Sequence, residues 1–156
     1  MLTNFEIETL TENFHLPLVG VYQKNLLKYV PRQLGSYYIN QMSSTEGDGS
    51  HWVFFRIYSD TEDEINEAKA LYFDPLGLAM SQEVEEYLKP FIPIPYNTTQ
   101  IQSPRTTECG WYCLACDIFL KNGEGPYLNR FETFLDEFSE DVNKNLQKLK
   151  LFFSEI

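Results

Sequence analysis

The chain has 156 residues, of which 43% are hydrophobic and 15% aromatic, enough apolar material for one domain with a real core. Its 23 acidic and 12 basic residues give a net charge of −11, which disfavours binding to nucleic acid phosphates. No apolar run reaches the roughly 20 residues that span a bilayer, and the first residues lack a signal-peptide pattern. The sequence therefore predicts one intracellular domain, residues 1–156, without a membrane role.

The first elements along the chain are short. Thr3 or Asn4 can cap a helix, and Phe5, Leu10 and Phe14 would give that helix an apolar stripe. Three further segments predict an edge strand, one helical turn and a second strand, in the order residues 18–22, 24–29 and 37–42.

A histidine stands at the start of the most apolar strand. The Gly- and Ser-rich residues 43–50 predict a loop that leads to His51. Residues 51–58 are apolar nearly throughout, which is typical of a central strand. At the mouth of such a strand, His51 is well placed to face a cleft, although a surface histidine without a role remains the alternative.

The acidic residues 59–69 predict a solvated hairpin tip, and residues 71–77 predict the returning strand, ended by Asp-Pro-Leu-Gly. Asp74 in this sequence can be a simple turn former, because Asp accepts hydrogen bonds from its own backbone. If the two strands pair antiparallel, however, the end of one lies beside the start of the other. Asp74 would then lie near His51.

The middle of the chain predicts a helix and another strand. Residues 81–89 form an amphipathic pattern with Ser81 as the N-cap. Its apolar positions are expected to face inward: Val84, Tyr87 and Leu88. Residues 96–102 alternate in character and predict an edge strand. The glycosylation acceptor pattern that begins at Asn97 is interpreted as chance.

Residues 102–116 pass from a polar loop into a buried helix, and Cys109 lies at the transition. The positive end of a helix dipole stabilises a thiolate, so Cys109 is a candidate nucleophile, with a small buried hydrophobe as the alternative. Cys113 and Cys116 could add two thiolates to a metal site, but no nearby histidine would complete a tetrahedron. We expect these two cysteines to pack in the core and the protein to need no metal or cofactor.

Two amphipathic helices complete the chain, at residues 127–138 and 143–156. Acyl chemistry with a thiol needs a base, a group that orients the base and a donor for the oxyanion. The chain offers these as His51, Asp74 and Gln102, in addition to Cys109.

Three stretches carry these residues in a specific order. They are Gly-Ser-His-Trp-Val at residues 49–53, Leu-Tyr-Phe-Asp-Pro-Leu-Gly at 71–77, and Gln-Ser-Pro-Arg-Thr-Thr-Glu-Cys-Gly-Trp-Tyr-Cys at 102–113. They resemble the adenovirus-type cysteine proteases, the adenains, and are most similar to the protease of virophages and Maverick/Polinton elements. The ubiquitin-like-protein proteases are more distant members of the same clan. The resemblance covers roughly residues 5–120.

The resemblance implies an α+β, papain-like fold in circularly permuted order, with a central mixed or antiparallel sheet flanked by helices and the nucleophile at a helix N-terminus. It implies Cys109 as the nucleophile and His51 as the general base and then acid. Asp74 would orient the imidazole, and Gln102 would be the side-chain oxyanion donor. Trp52 would lie along the cleft, or else be a core aromatic on the buried strand.

The implied function is a cysteine endopeptidase that cleaves capsid precursor proteins next to small residues, commonly Gly, during virion maturation. It would act in the virion and in the virus factory of the host cell cytoplasm. One alternative is a deubiquitinase or SUMO-type isopeptidase that acts on a C-terminal Gly-Gly. The other is an inactive scaffold protein with the same fold.

The chain departs from adenain in several ways. Adenain is activated by DNA and by a peptide joined through a disulfide, but this chain is acidic and has no cysteine outside residues 109–116. We therefore expect neither mode of activation, and we expect a monomer. Asp74 stands where adenain has Glu, and residues 121–156 are shorter than the corresponding part of adenain.

Overall fold

The structure, a computed structural model, describes residues 1–41, 51–61 and 67–156. The loop predicted at residues 43–50 and part of the hairpin tip predicted at 59–69 lie outside the described residues. The helices and strands follow one another as α1 Asn4–Asn13, β1 Leu18–Gln23, β2 Gly35–Asn40, β3 Trp52–Tyr58, β4 Lys69–Phe73, α2 Gln82–Leu88, α3 Cys109–Asn122, α4 Tyr127–Asp136 and α5 Val142–Ser154. Short 3-10 helices cover Lys24–Tyr29 and Lys89–Phe91.

The strands form one mixed sheet in the order β1-β2-β3-β4. β1 runs parallel to β2, whereas β2 with β3 and β3 with β4 pair antiparallel. β3 lies between two neighbours and is buried along its whole length. This confirms the central strand predicted from the apolar run, because a strand covered on both faces needs apolar residues at every position. The mixed sheet with flanking helices confirms the expected α+β class.

Alternate side chains of the sheet enter two separate cores, since successive residues of a strand point to opposite faces. Tyr38 and Phe54 belong to the larger core, which contains residues of α1, α3, α4 and α5. Tyr37 and Phe55 belong to the second core, where both rings contact Tyr87 of α2. Helix α3 therefore lies on one face of the sheet, opposite to α2.

A buried polar network joins α3 to the sheet. The hydroxyls of Ser36 and Tyr38 donate to the carboxylate of Asp117 at 2.6 and 2.8 Å, and Arg56 Nη1 donates to it at 3.2 Å. Burial raises the pKa of Asp117, while Arg56 and the two hydroxyl donors oppose that rise. Because Asp117 and Cys109 belong to the same helix, the network fixes α3, and with it the thiol, relative to the strands.

Helix α1 begins at the predicted cap. Glu6 N donates to Thr3 Oγ1 at 3.1 Å and Thr3 N donates to Glu6 Oε1 at 3.0 Å, which makes a capping box. The predicted stripe is wrong at Phe5, which is 72% exposed, because the buried positions of the helix are Ile7 and Thr11. Phe5 lies about 200° around the helix from Ile7, so the two cannot share one face.

The edge strand predicted at residues 96–102 is wrong. Within the described residues, this segment makes one isolated bridge to the sheet, between Tyr96 and Tyr72. The chain then turns away, and the N–H groups of Ile101 and Gln102 both donate to the carbonyl of Pro75, at 2.9 and 3.0 Å. The backbone hydrogen bonds that a strand would give to a sheet go to the turn after β4 instead.

The other predicted elements are confirmed with small shifts. Helix α2 has Ser81 as its N-cap and buries the three predicted apolar residues, and both C-terminal helices form. The second strand begins two residues earlier than predicted and ends at Asn40, and residue 42 lies outside the described residues. In the part of the chain that the structure describes, no helix combines the length and apolar character needed to cross a membrane.

Candidate active site

The antiparallel pairing of β3 with β4 brings His51 and Asp74 together. Phe54 pairs with Phe73, so His51, just before β3, and Asp74, just after β4, lie at the same end of the hairpin. His51 Nε2 lies 2.6 Å from Asp74 Oδ1, as the hairpin topology predicts.

The carboxylate of Asp74 also forms the turn that follows β4. Its Oδ1 accepts the N–H of Leu76 at 2.8 Å, and its carbonyl accepts the N–H of Gly77 at 2.8 Å. Gly77 has a φ of +69°, a conformation that glycine adopts without strain. The two roles considered for Asp74, turn former and partner of His51, are therefore both present in one buried side chain.

Cys109 is the first residue of α3, and its thiol faces the histidine. Its Sγ accepts the backbone N–H of Trp52 at 3.4 Å, and Cys109 is one of the two neighbours that raise the pKa of His51. Since Nε2 of the imidazole faces Asp74, Nδ1 is the nitrogen left for the thiol. The N-cap residue Glu108 makes no side-chain cap, so its side chain leaves the N–H groups of the first turn unoccupied.

The neighbours of His51 raise the pKa of its imidazole. Burial by itself lowers this pKa, but the hydrogen bonds with Asp74 and Cys109 and the charges of both residues outweigh burial and raise it to about 9. The imidazolium is thus the favoured form at neutral pH. A charged imidazole between a carboxylate and a thiol suits both proton transfer and stabilisation of a thiolate.

Gln102 lies shortly before Cys109 in the sequence, but its side-chain amide hydrogen-bonds the backbone of the intervening loop. Its Nε2 donates to the carbonyl of Thr106 at 3.1 Å, while its buried Oε1 has no hydrogen-bond partner within the described residues. In the part of the chain that the structure describes, its amide makes no hydrogen bond with His51, Asp74 or Cys109. The structure therefore brings three of the four predicted site residues into contact.

The N-terminal residues cover the thiol. Cys109 has 0% of its surface exposed, and its Sγ lies 3.6 Å from the Sδ of Met1. The carbonyl of Leu2 accepts the indole N–H of Trp52 at 2.9 Å, and the side chain of Leu2 packs against Gly110. Trp52 is itself buried, so it is a core aromatic that also anchors this covering segment.

The other two cysteines are core residues. Cys113 and Cys116 are fully buried, and Cys113 Sγ donates to the carbonyl of Trp52 at 3.4 Å. Burial raises the pKa of both thiols well above the ordinary value, which opposes the thiolate form that a metal requires. Among the described residues, no group of three or more His, Cys, Asp or Glu side chains is arranged so that it could hold a metal ion.

Sequence reasoning missed two asparagines whose side chains hydrogen-bond segments near the site. Asn97 was set aside as a chance glycosylation pattern, but its side chain is buried and hydrogen-bonds the backbone of Asp74. Asn145 on α5 donates to the carbonyl of Ile101, beside Gln102. No local pattern marks either asparagine, because each acts on a segment distant in sequence. The sequence contains one signal for Asn145, which is that a polar residue lies on an otherwise apolar face of a helix.

Comparisons with known proteins bear on the fold. No protein-family profile matches the chain, and no curated protein sequence matches it. The crystal structure of the ASFV pS273R protease is similar, with a TM-score of 0.53 and 16% identity over 85% of this chain and 62% of that one. The chain has a papain-like fold of the ubiquitin-like-protease type. It therefore has the fold that the sequence motifs imply, and it spans about three fifths of the length of the ASFV protease.

A second solved structure, HopZ1a in complex with IP6, is also similar, with a TM-score of 0.44 and 12% identity. The alignment covers 91% of this chain and 48% of that one. A likeness of this size adds nothing to the description of the fold or the site.

Proposed function

We propose that the chain is a cysteine endopeptidase. The observation that carries this proposal is the contact of His51 with Asp74 at 2.6 Å, in a histidine whose pKa is also raised by the neighbouring Cys109 at a helix N-terminus. Nucleophile, base and orienting carboxylate are the minimum set for acyl transfer by a thiol. The ASFV protease, which has the same fold, is a protease by its description.

The geometry supports a two-step reaction. The thiolate of Cys109 attacks the scissile carbonyl carbon, a C–S bond forms, and the carbonyl π electrons move to oxygen. Donors near the start of α3 would hold this oxyanion, among them the N–H of Cys109 and, after it leaves Thr106, the amide of Gln102. When the tetrahedral intermediate collapses, the C–N bond breaks and the imidazolium of His51 gives its proton to the amine.

The thioester is then hydrolysed. His51, now neutral, takes a proton from a water molecule that attacks the acyl carbon, and the C–S bond breaks to restore Cys109. Asp74 stays ionised throughout, because its task is to hold Nε2 and to balance the imidazolium charge. This sequence of steps needs no metal or cofactor.

The proposed substrates are viral capsid precursor proteins, cleaved next to small residues such as Gly during virion maturation, in the virion and the cytoplasmic virus factory. The support for this substrate class is the likeness of the three motifs to the adenain group. A deubiquitinase or SUMO-type isopeptidase is the second candidate, favoured by the ubiquitin-like-protease type of the fold.

Peptide cleavage tests the proposal. Purified chain is incubated with capsid precursor and, separately, with ubiquitin-like proteins that end in Gly-Gly, and products are identified by mass spectrometry. Substitution Cys109→Ala should lower the rate by at least roughly 10⁴-fold. Cys116→Ala, which removes a buried thiol of the same helix away from His51, is the matched control and should cleave normally. Equal cleavage by Cys109→Ala and wild type would remove the assignment.

A further inference from the structure

We propose that Asn97 is a positioning residue that aims the carboxylate of Asp74 at His51 by clamping the main chain of Asp74. The inference rests on the proposed cysteine-protease function for its biological meaning. The contacts of Asn97, however, are properties of the fold and can be tested without any substrate.

The clamp consists of hydrogen bonds on both sides of one residue. The Oδ1 of Asn97 accepts the N–H of Asp74 at 3.0 Å, and its Nδ2 donates to the carbonyl of Asp74 at 2.6 Å. The same Nδ2 donates to the carbonyl of Thr99 at 3.3 Å. Asn97 is 5% exposed, so these bonds are made with little competition from water.

Asp74 needs such a clamp because the sheet no longer holds it. The ladder between β3 and β4 ends at the pair Phe54 and Phe73, one residue before Asp74. An amide side chain offers one acceptor and a donor group side by side, as a neighbouring strand would. Asn97 therefore continues the backbone pairing past the end of β4 and fixes the direction in which the Asp74 side chain leaves the chain.

The same segment reaches the other side of the site. After Asn97, the N–H groups of Ile101 and Gln102 donate to the carbonyl of Pro75, next to Asp74. At Gly77 an added Cβ would lie 2.8 Å from the carbonyl oxygens of Thr98 and Thr99, so the two segments are in close backbone contact. The turn that carries the carboxylate and the loop that carries Gln102 are thus one unit with Asn97 at its start.

The pKa of His51 is the property that should change if this clamp is lost. Among the described residues, the titratable groups that act on His51 are Asp74, from the end of β4, and Cys109, from the start of α3. If Asp74 loses its orientation, its hydrogen bond with the imidazole weakens while burial still disfavours the imidazolium. Loss of Asn97 should therefore lower the pKa of His51.

The experiment is an NMR titration of the histidine side chains. The chain has two histidines, so the signal of the exposed His15 serves as an internal reference for His51. Asn97→Ala should lower the pKa of His51 by about one unit or more, the shift expected when a charge-assisted hydrogen bond is weakened. In parallel, Cys109 should react more slowly with iodoacetamide near neutral pH, because a less charged imidazole stabilises the thiolate less.

Asn145→Ala is the matched control. Asn145 is also buried and its Nδ2 also donates to two carbonyls, those of Ile101 and Ser139, but it does not touch Asp74. It should destabilise the fold without moving the pKa of His51. If Asn97→Ala unfolds the chain, Asn97→Ser, which supplies one hydroxyl in place of the amide, replaces it and should give a smaller shift in the same direction.

The proposal is overturned if His51 titrates in a folded Asn97 variant as it does in the wild type, or if Asn145→Ala shifts it equally. Neither readout needs proteolysis. A wild-type chain that cleaves nothing would remove the proposed function and leave this inference intact. An active enzyme in which Asn97→Ala does not change the pKa of His51 would remove this inference and leave the proposed function intact.

Discussion

His51 is the residue in which structure and charge are most tightly linked. Its pKa of about 9 in the folded chain lies above the ordinary value of 6.5. Folding therefore favours the protonated imidazole. The resulting stabilisation is fully present below about pH 6.5 and is lost as the pH rises through about 9.

This linkage gives a prediction for stability. Between about pH 6 and 9.5, the wild type should lose up to about 3 kcal/mol of unfolding free energy, and Asp74→Asn should lose clearly less, because only Cys109 then raises the pKa of His51. Asparagine keeps the shape of Asp74 and can still accept the N–H of Leu76, but it carries no charge for the imidazolium. Urea denaturation of both proteins across this pH range measures the difference. Parallel pH profiles of the two proteins would contradict the assigned charge state of His51.

At the scale of single residues, much of the site could be predicted from the sequence. His51 and Asp74 were predicted to meet because strand order and an antiparallel turn were enough to place them at the same end of one hairpin. The orientation of Gln102 was harder to predict, because it depends on which carbonyl accepts its amide N–H. In the structure this acceptor is the carbonyl of Thr106. A side-chain rotamer within a loop leaves no trace in sequence spacing.

At the scale of elements, the N-terminal segment covers the thiol of Cys109. Residues 1 and 2 precede α1 and lie over the start of α3, where Met1 contacts Cys109 and Leu2 packs against Gly110. Cys109 has no exposed surface in this arrangement. A peptide carbonyl can reach the thiol only after residues that cover it have moved.

Loosening this segment should expose the thiol. Leu2→Ala removes the side chain that anchors the segment to α3, so alkylation of Cys109 by iodoacetamide should become about tenfold faster or more, the factor that corresponds to about 1.4 kcal/mol. The rate can be followed by mass spectrometry of the peptide that contains Cys109.

Phe5→Ala is the control for this experiment, because Phe5 is a large apolar residue of the same N-terminal region that is mostly exposed. It should leave the alkylation rate unchanged. If Leu2→Ala reacts at the wild-type rate, opening of the N-terminal segment is not what limits access to the thiol.

The error at residues 96–102 also belongs to the scale of elements. The alternating pattern there is compatible with a strand, but a strand needs an open sheet edge with matching backbone groups. Instead, the N–H groups of Ile101 and Gln102 donate to the carbonyl of Pro75, and the side chain of Asn97 hydrogen-bonds the backbone of Asp74. These tertiary partners competed with the sheet edge, and local pattern carries no information about them.

At the scale of the whole molecule, the net charge of −11 sets the expected relation to nucleic acid. An acidic surface repels the phosphate backbone, and binding to DNA would need a local concentration of basic residues. Lys144, Lys148 and Lys150 of α5 are the densest basic group in the sequence, and the Nζ of Lys148 already donates to the carbonyl of Glu137.

Duplex DNA should therefore neither bind nor activate the chain at physiological salt. Fluorescence anisotropy of a labelled duplex should stay at its free value at protein concentrations up to about 10⁻⁴ M, the weak limit of non-specific binding. Peptide cleavage, or alkylation of Cys109, should be unchanged by added DNA. Saturable binding with an accompanying rise in rate would contradict the charge argument.

The sequence by itself determined the order of most elements and the contact of His51 with Asp74, and the likeness of its motifs implied the class of fold. It could do so because apolar periodicity, caps and hairpin topology act over short distances along the chain. Only the tertiary structure decided that Asn97 clamps Asp74, that Asp117 fastens α3 to the sheet and that Met1 covers Cys109. These contacts join segments more than twenty residues apart, and their energy comes from burial and complementary hydrogen bonds that exist only in the packed molecule.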